Sequence, residues 1–299
     1  MRILNYGSLN IDETYAVPHF VQAGETLAPT AFARNTGGKG LNQSVALARA
    51  GAAVYHAGCI GADGAFLTEF LTAAGVDCRF VRSTDTPTGR AIIQVVPEGQ
   101  NCILLFGGAN RAQREADMEE TLSHFDVGDV LLLQNEINGI DFLVRRAHAR
   151  GMRVALNPSP FDDALLALPT DAISYLILNE VEAAAMSGEQ EPQAALRALR
   201  ARYPHAAVLL TLGSRGSLYS GREGDFVQKA YTVAAVDTTG AGDTFTGYFL
   251  AAVTGGMPVP DAMDLAARAS AVAVTRHGAA AAIPTPQDVE MFDFSAKNG

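Results

Sequence analysis

The chain has 299 residues, 48% apolar and 18% charged, enough to bury a sizeable core as one large domain or two small ones. Its formal net charge of -10, with no Lys/Arg run, argues against nucleic-acid or anionic-membrane partners but is compatible with small phosphates, which backbone N–H groups bind without net positive charge. Three cysteines, Cys59, Cys78 and Cys102, are an odd set without a CxxC pair, which argues against a disulfide framework or a zinc site and fits a reducing compartment.

From Met1 the chain reads directly into a strand, without the charged start and long apolar stretch of a signal peptide. No apolar run is long enough to span a bilayer, so a cytoplasmic location is expected. Short apolar runs predict strands at Ile3–Tyr6, Val54–Ile60, Val130–Leu133, Val154–Leu156, Tyr175–Leu178 and Val208–Leu212. Most are continuous rather than alternating, the pattern of strands buried on both faces of a parallel sheet. Helical patterns lie between them at Leu41–Ala50, Phe66–Ala74, Ile140–Arg150, Glu180–Met186 and Ala194–Tyr203. Gly51, Gly75 and Gly151 close three of these, as left-handed C-terminal caps do. The alternation predicts a doubly wound α/β fold.

Two stretches break the pattern. Glu13–Asn35 carries Pro18, Gly24 and Pro29 without helical period, and Thr88–Gly108 reads as a hairpin of Ala91–Val96 and Cys102–Phe106 around Pro97-Glu98-Gly99-Gln100. They are expected to form a small β lid, residues 13–36 and 88–107, inserted in a single domain spanning 1–299. The C-terminal third reads as helical, with Asp243–Thr254 and Asp261–Arg276.

The chemistry-bearing residues collect at the ends of these elements. Asn10 and Asp12 lie just past the first strand, and their i, i+2 spacing sends both side chains the same way if the chain stays extended. Glu136 holds the equivalent place after Val130–Leu133. The carboxyl ends of strands are where open α/β sheets bind ligands, although Asn and Asp there also serve simply as turn formers. Gly37-Gly38-Lys39-Gly40-Leu41-Asn42-Gln43 opens a helix but is not a Walker A loop, because no Ser or Thr follows the Lys. Its glycines would let sugar hydroxyls reach the backbone, with Lys39 and Asn42 as hydrogen-bonding partners; the plainer alternative is a Gly-rich helix start with a solvated Lys.

Asn179-Glu180-Val181-Glu182 reads as a near capping box, or as an Asn and an acid that organise hydrated Mg²⁺ near phosphates. Thr211-Leu212-Gly213-Ser214-Arg215-Gly216 is either a tight strand–strand turn or a floor under a nucleotide. It is not a nucleophile elbow, since Leu212 stands where GxSxG has its first Gly. Asp237-Thr238-Thr239-Gly240-Ala241-Gly242-Asp243-Thr244-Phe245 leads small residues into a helix. Gly240 and Gly242 allow close approach, and the first-turn N–H groups and helix dipole favour an anion. A phosphate could be held there as charge builds, with Asp243 placed to take a proton from an attacking hydroxyl; alternatively Asp243 only stabilises the helix N-terminus. The six histidines form no HExxH pair.

In this order, and with Leu156-Asn157-Pro158, these segments resemble the ribokinase/phosphofructokinase-B family of carbohydrate kinases, most closely its ribokinase branch. The resemblance implies a ribokinase-like doubly wound, mostly parallel sheet flanked by helices, with a β lid that often forms a homodimer interface. It implies transfer of the γ-phosphoryl of MgATP to a sugar primary hydroxyl, D-ribose first. By position, Asn10, Asp12, Gly38, Lys39, Asn42 and Glu136 would hold the sugar. Asp243 would be the base, with Gly240, Ala241 and Gly242 around the migrating phosphoryl group. Asn179, Glu182, Thr211, Gly213, Ser214, Gly216, Gly242 and Ala267 would serve ATP and Mg²⁺. Asp237, with Thr239, Ala273, Arg276, Gly278 and Ala282, would match a monovalent-cation site, usually potassium. Ala282 stands where such kinases often carry a Ser, and Ala267 where they often carry a His or Asn near the adenine. Another sugar or a nucleoside as acceptor is an alternative, the latter needing an aromatic slot from Phe20, Phe32 or Phe106. A non-catalytic binding protein and a nicotinamide-dependent oxidoreductase are the others; the intact Gly240–Asp243 turn speaks against the first and the missing early GxGxxG against the second.

Overall fold

A computed structural model of the protein describes residues 1–294 of the chain. Strands run, in chain order, β1 Ile3–Tyr6, β2 Asn10–Ala16, β3 Ala31–Gly37, β4 Val54–Ile60, β5 Asp77–Ser83, β6 Gly89–Val95, β7 Asn101–Phe106, β8 Val130–Gln134, β9 Arg153–Asn157, β10 Ile173–Asn179, β11 Ala207–Thr211, β12 Ser217–Gly221 and β13 Gly224–Gln228. The helices are α1 Lys39–Arg49, α2 Ala65–Ala73, α3 Glu115–Leu122, α4 Ile140–Ala149, α5 Glu180–Ser187, α6 Pro192–Arg202, α7 Ala241–Thr254, α8 Val259–Ala273 and α9 Pro286–Met291.

The main sheet has nine strands in the order β13-β12-β11-β10-β9-β8-β1-β4-β5. It is parallel from β11 to β5, and β12 and β13 add an antiparallel edge. The continuous apolar runs are explained by burial on both faces. In β8, Val130 and Leu132 face the core under α1, α7 and α8, while Leu131 and Leu133 face the core under α3 to α6. The expected glycine caps are present, with Gly51, Gly75 and Gly151 at φ of 89°, 90° and 76°.

The aberrant stretches form a separate four-stranded sheet, β3-β2-β6-β7. Its boundaries differ from expectation: the lid begins at Asn10 and ends its second strand at Gly37, not at 13 and 36. The extra residues pair because Asn10 opposes both Gly37 and Gly89. The last long helix also stops earlier than Arg276. The Val274 carbonyl accepts from the Val236 and Asp237 amides at 2.7 and 3.1 Å, which turns the chain out of α8. No helix among the described residues is long and apolar enough to cross a membrane.

Candidate active site

β1 lies between β4 and β8, where the strand order reverses, so the carboxyl ends of β1, β8, β9, β10 and β11 open into one crevice. Two glycines bring the first of these ends against α1. A Cβ on Gly7 would lie 2.7 Å from Gly40 Cα, and one on Gly40 would lie 2.3 Å from the Ser8 nitrogen; only glycine permits so close an approach. The Gly40 amide donates to Ser8 Oγ at 3.1 Å and the Leu41 amide to the Ser8 carbonyl at 3.0 Å. The Ser8 hydroxyl donates to Glu136 Oε2, which also accepts from the Lys39 amide at 3.0 Å. Gly38 starts the helix at φ 94°, a value open to glycine without steric cost.

Asn10 and Asp12 open β2, on one face of the strand that leads into the lid. Asn10 is buried, and its Oδ1 accepts from Asn110 Nδ2 at 2.7 Å. Asp12 lies over Gly37, whose Cβ would sit 2.1 Å from the carboxylate carbon. Burial, and then the charge of Glu136, raise the Asp12 carboxyl to about 7.

Asp243 stands in the first turn of α7, 8% exposed. Its Oδ2 accepts from Asn42 Nδ2 at 2.9 Å and its Oδ1 from Gln43 Nε2 at 2.8 Å. Consecutive residues of α1 thus each serve one oxygen of the carboxylate. Gly240 precedes the helix in the left-handed conformation at φ 75°. A Cβ on Gly242 would meet no atom within 4 Å, so the helix start is an open cradle with N–H groups and dipole turned to an anion. Burial opposes the charge on half-buried Lys39, but Asp243, Glu136 and Glu182 outweigh it and raise the ammonium above its ordinary value.

A cavity of about 200 Å³ is lined by Lys39, Asn157, Asn179, Glu182, Gly240, Gly242 and Asp243. It shares Thr211 and Gly242 with a second cavity of about 370 Å³, which runs over Gly213, Ser214, Gly216 and Ala267 to Phe245 and Val274. The turn expectation at 211–216 also holds: β11 and β12 pair antiparallel, and the Leu212 amide donates to the Gly216 carbonyl at 2.8 Å. The capping box is complete as well. Asn179 Oδ1 accepts from the Glu182 amide and Glu182 Oε2 from the Asn179 amide, both at 2.9 Å. The same side chains therefore cap the helix and line the cavity.

The Asp237 loop is built by its carboxylate. Oδ1 accepts from the Thr239 amide and Oδ2 from the Gly278 amide, both at 2.9 Å. Burial alone would raise this carboxyl; bonds from Thr239 and Gly278 outweigh it and hold it below its ordinary value. The Ala273 carbonyl accepts from the Arg276 amide at 3.0 Å, and Ala282, 2% exposed, brings no hydroxyl. No cluster of three or more His, Cys, Asp or Glu able to hold a metal occurs among the described residues.

Gln43, Asn157, Asn110 and Ser8 are site residues to which sequence reasoning gave no role. Gln43 lies in the Gly37–Gln43 segment and Asn157 in Leu156-Asn157-Pro158, and their polar type at helix and strand ends is the available signal. Phe20, Phe32 and Phe106 line neither cavity.

The model of the pfkB family of carbohydrate kinases matches residues 2–286. A ribokinase of Haemophilus influenzae is 34% identical over 298 residues, covering 96% of each chain. The structure of Arabidopsis thaliana ribokinase complexed with ribose and ATP aligns with a TM-score of 0.86 at 30% identity, over 98% of this chain and 99% of that one. Cryptococcus neoformans ribokinase in complex with ADP aligns with a TM-score of 0.83 at 33% identity, over 97% and 98%. With a family match across almost the whole chain and ribokinase-like architecture throughout, this chain belongs to the pfkB family of carbohydrate kinases and is a ribokinase-like phosphotransferase.

Proposed function

We propose that the protein transfers the γ-phosphoryl group of MgATP to the primary hydroxyl of a furanose sugar, D-ribose giving D-ribose 5-phosphate. One observation carries the reading: the Asp243 carboxylate stands beside the open Gly242 cradle, in a cavity that shares Thr211 and Gly242 with a second of about 370 Å³. The ribokinase relatives, one of them complexed with ribose and ATP, support the choice of acceptor and donor.

In this reading Asn10, Asp12, Gly38, Lys39, Asn42 and Glu136 hold the sugar with its primary hydroxyl at Asp243. The hydroxyl proton passes to the carboxylate as the new O–P bond forms. The bond from the γ-phosphorus to the β,γ-bridging oxygen breaks and ADP leaves. Amides of Ala241 and Gly242 and the Lys39 ammonium receive the charge of the migrating group, with Gly240 setting the approach. The nucleotide lies over Thr211, Gly213, Ser214 and Gly216, its base toward Ala267. Hydrated Mg²⁺ near Asn179 and Glu182 would neutralise phosphate charge. Asp237, with carbonyls of Thr239, Ala273, Arg276 and Gly278, would hold K⁺ behind the start of α7, one hydroxyl short at Ala282. Lid closure over the sugar would exclude water and suppress hydrolysis of ATP.

A coupled ADP-release assay over pentoses, hexoses and nucleosides, with and without potassium, tests the proposal. ADP should form only with an acceptor, with the highest kcat/KM for D-ribose and a higher rate with potassium. A better acceptor from another class would overturn ribose, and no response to potassium would overturn the cation site.

The lid also supports a homodimer. β7 is its outer edge, and there Leu104 and Phe106 are 67% and 50% exposed. An apolar edge strand of this kind calls for a partner. Sedimentation velocity should give a dimer for the native chain and a monomer for Leu104→Glu; a native monomer at micromolar concentration would exclude the interface.

A further inference from the structure

Asp243 is one end of a chain of buried carboxamides that links α7 through α1 to β9, β8 and β1. Asn5 Nδ2 donates to the Gly40 carbonyl at 2.7 Å and to Ser44 Oγ at 2.8 Å. Gln134 Nε2 donates to Asn5 Oδ1 at 2.9 Å and to Gln43 Oε1 at 2.7 Å. Gln43 Nε2 donates to Asp243 Oδ1 at 2.8 Å and to Asn157 Oδ1 at 3.0 Å. Asn157 Nδ2 donates to the Ile177 carbonyl at 2.8 Å. Asn5, Gln43 and Gln134 are 0% exposed, so bulk water does not reach these three side chains.

The direction of the chain follows from its ends. A backbone carbonyl only accepts, so Asn5 must turn its NH₂ to Gly40 and Asn157 must turn its NH₂ to Ile177. Their oxygens then face inward. Gln134 is forced to present NH₂ to Asn5, Gln43 to present its oxygen to Gln134, and the Gln43 NH₂ to meet Asp243 and Asn157. A flipped Gln43 would set its oxygen against two oxygens and its NH₂ against that of Gln134. At the far end Ser44 Oγ, already accepting from Asn5, meets His56 Nδ1 at 2.8 Å. Burial pushes His56 down to about 3, so that end is neutral and the direction does not reverse with pH.

We infer that Gln43 is a positioning residue for phosphoryl transfer, fixing the rotation of the Asp243 carboxylate through one donated hydrogen bond whose direction Gln134 and Asn157 enforce. The inference rests on the proposed base role of Asp243. Gln43 has no access to the sugar, whereas Asn42, holding the other oxygen, is assigned to the sugar as well. A group held only by the sugar's own partner is free to turn before the sugar binds. The second bond supplies orientation in advance, where small misplacements cost rate rather than binding.

Steady-state kinetics of Gln43→Leu, Gln43→Glu and Gln134→Leu, beside Asp243→Asn, and with thermal unfolding of each, test this. Gln43→Leu should lower kcat about 10- to 100-fold while KM for D-ribose stays within about threefold. Gln43→Glu keeps the volume but sets an acceptor against Asp243, and should lose more. Gln134→Leu leaves Gln43 oriented by Asn157 and Asp243 alone, and should lose less. A kcat within about threefold of native in Gln43→Leu, or kcat and KM changing in parallel, would overturn the inference. If Gln43→Leu does not fold, Gln43→Glu and Gln134→Leu decide by the same criteria. An active Asp243→Asn would remove the base reading itself; an inactive Asp243→Asn beside an unimpaired Gln43→Leu would remove only the positioning role.

Discussion

Asp243→Asn is expected to lower kcat by about 10³-fold while sugar binding, read by calorimetry, stays measurable. The variant keeps the shape of the side chain and removes its capacity to take a proton. Both native oxygens accept amide protons, from Asn42 and from Gln43. The introduced NH₂ must face one of those donors, so part of the loss is positional. Sugar contacts proposed for Asn10, Asp12 and Glu136 are made from other strands and should survive. Turnover near the native value would show that the proton leaves by another route.

The second large effect is on stability, and Asp12 causes it. An ordinary Asp titrates near 3.8, and in the fold burial and Glu136 raise this one to about 7. Between those values the unfolded chain has lost the proton that the folded chain keeps. Folding therefore binds a proton, and the stability of the ligand-free protein falls as pH rises through this window. The distance from 3.8 to about 7 corresponds to roughly 4 kcal/mol, spread at about 1.4 kcal/mol per pH unit. Below about pH 4 both states are protonated and stability no longer depends on this group. Asp12→Asn carries no such charge, so urea unfolding should show the variant gaining on the native protein from pH 4 to pH 7 and levelling off above about pH 7. A stability difference independent of pH would contradict the account of Asp12.

What the sequence discloses follows from where burial is two-sided. Val130–Leu133 is recognisable because alternate residues enter opposite cores. Asp77–Ser83 is not, because it is the sheet's edge and interrupts its apolar residues with Arg79 and Arg82. Gly224–Gln228 escapes for the same reason, as an antiparallel edge strand with little buried surface. The two glycine-rich helix starts are legible for different reasons: Gly40 comes directly against the Ser8 backbone, and Gly240 takes a left-handed φ of 75°. Asn179 and Glu182 form the expected capping box and also line the cavity beside Asp243. The role of Gln43 had no local mark. A carboxamide on a buried helix face acquires meaning only when Asp243, 200 residues away, is brought to it by the packing of α7 on α1. The lid's true start at Asn10 was hidden likewise, since its pairing partners Gly37 and Gly89 lie far along the chain.

The central claim is that the crevice around Gly242 and Asp243 passes phosphorus from ATP to a primary sugar hydroxyl. Phosphorus NMR of a reaction with ATP and D-ribose reads this directly. A new monoester resonance coupled to two methylene protons should grow as ADP accumulates. Inorganic phosphate as the main product, or an ester coupled to a single methine proton, would contradict it.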